Sequence, residues 1–225
     1  MSNDQLPEWE RLLSCAAQLQ KIIPDAVLVG GTAAALYATH RYSHDADHVI
    51  TNLRGRFDEI LATLESVAGW KTARTRRPVL ILGSLDGIET GVRQLIREQP
   101  LETTKISAAN TEIVVPTEEE MLRIKAALIL QRNATRDYLD FIALANHLGA
   151  DRAVSALLTM DMLYPQPGGN SALQQLQIQL ANPLPFDLEG TSLAEYHCLS
   201  SQWHSWEVVK DACSKCAAAI MDRLP

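Results

Sequence analysis

The residues of this chain that could do chemistry lie close together in one stretch. Val27-Leu28-Val29 runs into Gly30-Gly31-Thr32, an Ala-rich segment follows, and Asp45-Ala46-Asp47 opens a β-branched run. A strand, a Gly-Gly turn and a helix would present backbone N–H groups and the Thr32 hydroxyl at a helix N-terminus. The helix dipole and the unpaired donors there favour phosphate. Glycine suits the turn because a Cβ would keep phosphate from approaching the backbone. Alternate strand residues point to one face, so Asp45 and Asp47 converge on one point. Two carboxylates so close repel unless a cation lies between them. Oxygen-only ligation suits Mg2+ or Mn2+, which also grips nucleotide phosphates. His40, His44 and His48 flank the pair. A zinc site is disfavoured, since alternation sends ligands drawn from one short strand to opposite faces.

The elements that must position these residues are read from periodicity. Residues 7–22 carry Leu12, Leu13, Ala16, Ala17 and Leu19 near helical spacing, and Pro24-Asp25 stops that helix. Residues 26–29 suit a buried strand, 32–40 a helix with Thr32 near its start, 46–51 a second strand and 56–68 a helix. Short β-prone runs follow at 70–75, 79–82, 88–95, 103–107 and 112–115. They are parted by Arg77-Pro78, Asp86-Gly87 and Ala109-Asn110 turns, which predicts a strand meander. Thr117 and Glu120 have capping-box spacing at a helix start. From there the chain reads as helical, interrupted at 164–170 and 182–185. The expected fold class is α+β: a mixed sheet with flanking helices over 1–115, then a helical part over 116–225.

The first motif resembles that of the DNA polymerase β-like nucleotidyltransferases: Gly-Gly or Gly-Ser, a helix, then Asp-x-Asp. Gly30-Gly31-Thr32 and Asp45-Ala46-Asp47 carry the likeness. A second likeness lies in Val115 to Lys125 and in Arg132-Asn-Ala-Thr-Arg136-Asp137-Tyr-Leu-Asp140. It is similar to the AbiEii/AbiGii type, bacterial phage-defence and toxin–antitoxin toxins. Together the likenesses cover about residues 25–148. The resemblance implies an N-terminal nucleotidyltransferase fold, with Asp45, Asp47 and a third carboxylate on a later strand as metal ligands and catalytic groups. Glu89 is the candidate, because alternation aims it away from Ile88. Asp86 competes, but Asp86-Gly87 reads as a turn. The resemblance also implies that Gly30, Gly31 and Thr32 hold nucleotide together with Lys125, Arg132 and Arg136. Those three cations would share one stripe if a single helix carried them. Asp137 and Asp140 read as orienting groups or helix-packing ion pairs.

Composition removes other classes. Of 225 residues, 47% are hydrophobic and 21% charged, so a packed core is expected. The net charge of −7 argues against nonspecific coating of nucleic acid, although Arg74, Arg76, Arg77, Arg93 and Arg97 could line a local groove. No apolar run approaches the ~20 residues a membrane span requires. The N-terminal residues lack signal-peptide features, so a cytoplasmic protein with no membrane partner is expected. Cys213 and Cys216 form a lone CxxC and read as thiols on an amphipathic helix. Trp203 and Trp206 read as helix packing.

The expected activity is metal-dependent transfer of NMP from an NTP to an RNA or protein acceptor, with pyrophosphate leaving. The resemblance adds the biology of a toxin, acting on tRNA ends among the candidates, that an antitoxin partner restrains. The competing readings are a small-molecule adenylyltransferase of the aminoglycoside-modifying kind and a catalytically silent nucleotide-binding module. No helix-turn-helix or zinc finger supports a DNA-binding protein.

Overall fold

A computed structural model describes residues 8–108 and 110–223. The expected helix start at Pro7, the Ala109 half of a turn and a helix end at Leu224 lie outside the described residues. The chain forms two compact units. One comprises residues up to 33 with 43–117; the other comprises 34–42 with residues from 118 onward.

The first unit opens with α1 (Glu8–Ile22), β1 (Val27–Leu28) and the start of α2 (Gly30–Ala38), then β2 (Asp45–Ile50) and α3 (Leu53–Glu65). Strands β3 (Trp70–Arg76), β4 (Leu80–Leu85), β5 (Ile88–Gln94), β6 (Thr103–Ala108) and β7 (Thr111–Pro116) follow. Five strands form a mixed sheet in the order β1-β2-β5-β4-β3, in which β2 and β5 run parallel and the other pairs antiparallel. Sequence reading treats the last five strands as one meander. Instead β3-β4-β5 meander, while β6 and β7 make a separate two-stranded sheet. The cause is that β5 already pairs with β4 on one edge and β2 on the other, leaving no edge for β6. At the β4–β5 turn Asp86 and Gly87 both have positive φ, 52° and 82°, as the tight primed hairpin turns require.

One face of this sheet is covered by α1 and α3. Leu19 of α1, Ile23 just after it, and Leu53, Phe57, Ile60 and Leu64 of α3 bury against Ile50, Ile81, Leu85 and Val92. Those sheet residues alternate with Asp45, Asp47 and Glu89, so the hydrophobic pattern that builds the core turns the acids to the other face.

The second unit is helical: α4 (Glu118–Arg132), α5 (Thr135–Leu148), α6 (Ala150–Leu157), α7 (Met160–Leu163), α8 (Ala172–Ala181) and α9 (Trp206–Met221). The single stripe expected for Lys125, Arg132 and Arg136 does not exist. Helix α4 ends at Arg132, and Asn133, with φ 44°, turns the chain before α5. Asparagine tolerates this left-handed conformation. Its side chain is fixed there by the Tyr138 hydroxyl, which donates to Asn133 Oδ1 at 2.5 Å. The expected break at 182–185 extends further: residues 186–205 depart from the helical expectation, holding three short 3-10 turns at Leu188–Gly190, Leu193–Glu195 and Ser201–Trp203. Pro183, Pro185 and Gly190 disfavour a continuous α-helix there. Helix α9 buries Val209, Cys213, Ala217 and Ile220 along one stripe, and its Trp206 ring meets Tyr138 edge-on at 5.9 Å. Cys213 and Cys216 are free thiols, and burial raises both.

Candidate active site

Strand β2 alternates strictly: Asp45, Asp47 and Val49 are partly exposed, while Ala46, His48 and Ile50 are buried. His48 therefore faces the core, where burial pushes its imidazole down to about 4, and His44 pairs with Glu8 on the surface. Neither histidine shares a face with the acids to form a zinc site.

The parallel pairing sets Asp45 directly opposite Glu89 and Asp47 opposite Gly91. Residues paired in this way share a face, so Asp45, Asp47 and Glu89 occupy neighbouring positions on the sheet side away from α1 and α3. Gly91 lacks a side chain for a steric reason, since a Cβ there would lie 2.4 Å from the Ile81 carbonyl oxygen. The Leu82 side chain lies 2.7 Å from the same position and covers Gly91. Asp86, the competing third acid, stands in the turn instead.

The Gly30 turn abuts this surface. Gly30 adopts φ 79°, and a Cβ on it would lie 3.7 Å from the Asp47 Cβ. The backbone angle, rather than lack of space, therefore demands glycine. Val29 N–H donates to the Asp47 carbonyl at 2.8 Å, and the Thr32 hydroxyl donates to the Asp45 carbonyl at 2.6 Å. Thr32 is fully buried, and its hydroxyl ties the helix to β2 instead of facing an anion. The first turn of α2 contributes N–H groups with no intrahelical acceptor beside two carboxylates.

Both aspartates are held by neighbours. Ser43 Oγ donates to Asp45 Oδ1, and Arg93 Nε lies 3.5 Å from Asp47 Oδ1. Arg93 thus supplies a counter-charge inside the site, a role that its place among scattered arginines gives no sign of in the sequence. Among the described residues no three His, Cys, Asp or Glu side chains are gathered as a metal cage. The donor set nonetheless fits Mg2+, which usually takes one or two carboxylates and completes its shell with water and substrate phosphates.

The three cations assigned to the nucleotide lie in the second unit. Lys125 is 1% exposed, and its Nζ lies 2.6 Å from Asp140 Oδ2 and 3.9 Å from Asp137 Oδ1. Arg132 Nη2 donates to Asp137 Oδ1 at 2.7 Å. Asp140 also accepts from Arg41 through Nε at 2.7 Å and Nη2 at 2.9 Å, and contacts His40 Nε2 at 2.7 Å. Burial alone would raise Asp140, but Arg41, Lys125 and His40 hold its carboxyl well below the usual carboxylate range. Arg136 is exposed on α5. Asp137 and Asp140 are thus the centre of a buried ion network. Their partners Arg41 and His40 lie so far back in the sequence that no local spacing could announce them.

Of the arginines considered for a groove, two are spent elsewhere. Arg97 is buried and donates to the Gln99 and Pro100 carbonyls. Arg77 pairs with Asp58 and stacks over Phe57 of α3.

Residues 11–164 match the model of the family described as "Nucleotidyl transferase AbiEii toxin, Type IV TA system". Solved structures share the fold. JHP933 from Helicobacter pylori superposes with TM-score 0.54 at 16% identity, covering 96% of this chain and 91% of that one. The antibiotic-resistance factor ANT(2'')-Ia superposes with TM-score 0.51 at 12% identity, covering 72% of this chain and 94% of that one. Curated relatives are much longer. The heme uptake protein MmpL11 of Mycobacterium tuberculosis is 33% identical over 129 residues, 56% of this chain and 13% of that protein. The mycolic acid-containing lipids exporter MmpL11 of Mycolicibacterium smegmatis is 26% identical over 219 residues, 94% of this chain and 21% of that protein. The chain therefore spans only 13% to 21% of the length of these relatives.

Proposed function

Because the chain belongs to the AbiEii nucleotidyltransferase toxin family of type IV toxin–antitoxin systems, we propose that it transfers a nucleoside monophosphate from an NTP to an RNA acceptor and that an antitoxin partner restrains it. The observation that carries this reading is the register of β2 and β5, which stands Glu89 beside Asp45 on the face that bears Asp47. The Gly30 turn lies against the same face.

Asp45 and Asp47 would hold a divalent cation, with Glu89 beside Asp45 on the neighbouring strand. When bound, the cation would neutralise charge on the nucleotide phosphates and on the entering and leaving oxygens. The N–H groups of Gly30 and Gly31 would receive a phosphate at the helix terminus, with Thr32 anchoring the turn to β2. Glu89, which makes no hydrogen bond or ion pair among the described residues, would take the proton of the acceptor hydroxyl. The hydroxyl oxygen bonds to the α-phosphorus, the bond to the bridging oxygen breaks, and pyrophosphate leaves. Of the three cations assigned to the nucleotide, Arg136 carries its charge on the surface of α5. Lys125 and Arg132 would act by holding Asp140 and Asp137.

The test is incubation of the protein with each labelled NTP, Mg2+ and total RNA, beside Asp45→Asn and Asp47→Asn variants and an EDTA control. Label should enter RNA with the parent alone. Equal labelling by the variants would remove the site assignment, and label entering protein instead of RNA would overturn the acceptor class.

A further inference from the structure

We infer that strand β3 is a binding row for the phosphodiester backbone of a single-stranded RNA acceptor, carried by Lys71, Arg74 and Arg76. The inference rests on the proposed transfer to RNA and adds a site beside the carboxylates.

Lys71 pairs with Ser84, which pairs with Glu89, which pairs with Asp45. Arg74 pairs with Leu82, which pairs with Gly91, which pairs with Asp47. Arg76 pairs with Leu80 and, beyond it, Arg93. Each chain of pairings keeps to one face, so the three cations stand on the sheet side that bears the acids.

Simple alternation would not produce this. Counting by twos from Lys71 gives Ala73 and Thr75, and Arg74 and Arg76 would then point towards α3. The register shift between Thr72 and Arg74 is a bulge that takes up Ala73 and rephases the strand, as bulges beside active sites often do. One inserted residue thus collects all three cations of β3 on a single face. All three are exposed, and among the described residues none makes an ion pair or hydrogen bond. Neighbouring Arg56 and Arg77 on the α3 side are neutralised by Asp25, Glu59 and Asp58. Uncompensated cations on an open surface attract a polyanion.

Three strand spacings separate β2 from β3, about 14 Å at ~4.8 Å each. The last nucleotides of an unpaired 3′ end can cover that span, with the half-buried Leu80 and Leu82 beneath the bases. A protein acceptor would gain nothing specific from such a row. Lysine and arginine on an edge strand can also serve only to block sheet-to-sheet association, and the experiment separates the two roles.

The full chain carrying Asp47→Asn, to prevent transfer, is titrated onto a fluorescein-labelled single-stranded RNA oligonucleotide at several KCl concentrations. The comparison is the same protein with Lys71→Gln/Arg74→Gln/Arg76→Gln, with Lys21→Gln/Lys210→Gln/Lys215→Gln as a charge-matched control. Loss of three phosphate contacts should flatten the slope of log K against log salt by about 2 and weaken binding tenfold or more at low salt. The control should bind like the parent, and with Asp47 restored both triple variants should bind Mg2+-NTP like the parent. Unchanged RNA affinity and slope in the β3 variant, or an equal loss in the control, overturns the inference. Loss of binding without transfer to any acceptor would sink the proposed activity and leave the row standing. Undiminished transfer by a β3 variant with intact Asp47 would sink the row alone.

Discussion

Lys125 Nζ lies 2.6 Å from Asp140 Oδ2, and both side chains are shut away from solvent. Removing one member of a buried ion pair strands the other charge, at a cost of about 3–5 kcal/mol. Lys125→Met and Asp140→Asn should each show a loss of that order in urea denaturation. A loss below about 1 kcal/mol would mean that the network is not structural, and Lys125 would return to the role of direct phosphate contact.

The same network fixes a pH dependence. Asp140 has a folded-state pKa below its unfolded value of about 3.9. Its contribution is therefore fully present above the unfolded pKa and is lost as pH falls through the lower, folded one. The stability gap between the parent and Asp140→Asn should stay constant from pH 8 to 5 and narrow only below about pH 4. A gap that closes between pH 7 and 5 would locate the titration in another group.

Gly30 holds φ 79° with ordinary contact distance to Asp47. Gly30→Ala should therefore cost roughly 1–2 kcal/mol through backbone strain, since a Cβ in the left-handed region is disfavoured by that much. It should also reduce transfer, because the turn that aims the first N–H groups of α2 would shift. An alanine variant as stable as the parent would show that the turn adopts another conformation.

Arg93 neutralises Asp47 at 3.5 Å, and both groups are partly exposed. Exposed pairs are worth about 0.2–1 kcal/mol. Arg93→Gln should therefore tighten Mn2+ binding roughly twofold to fivefold in the absence of nucleotide, as read by electron paramagnetic resonance titration. Weaker Mn2+ binding would show that Arg93 does not compete with the cation for Asp47.

Activity should depend unequally on the three acids. Asp45→Asn and Asp47→Asn should each lower transfer at least ~100-fold, with melting temperature little changed because both groups are partly exposed. Glu89→Gln, with its group on the neighbouring strand, should lower kcat and leave KM for NTP close to the parent value. Full activity in Glu89→Gln would assign the proton transfer to one of the aspartates.

What the sequence determined by itself was local. Period-two alternation put Asp45 and Asp47 on one side of β2, the glycine pair marked the entry into α2, and Asp86-Gly87 marked a hairpin. Each depends only on the conformations that neighbouring residues can adopt. Tertiary structure decided what crosses long separations. Pairing of β2 with β5 set Glu89 beside Asp45 and left β6 and β7 to a sheet of their own. A bulge at Ala73 chose the face of Arg74 and Arg76, and the fold brought Arg41 and His40 to Asp140. A positive φ at Asn133 divided α4 from α5, where helical spacing alone had placed Lys125, Arg132 and Arg136 on one stripe. Spacing reports which way a side chain turns from its own backbone, whereas its partner is chosen by packing and by the need to neutralise buried charge.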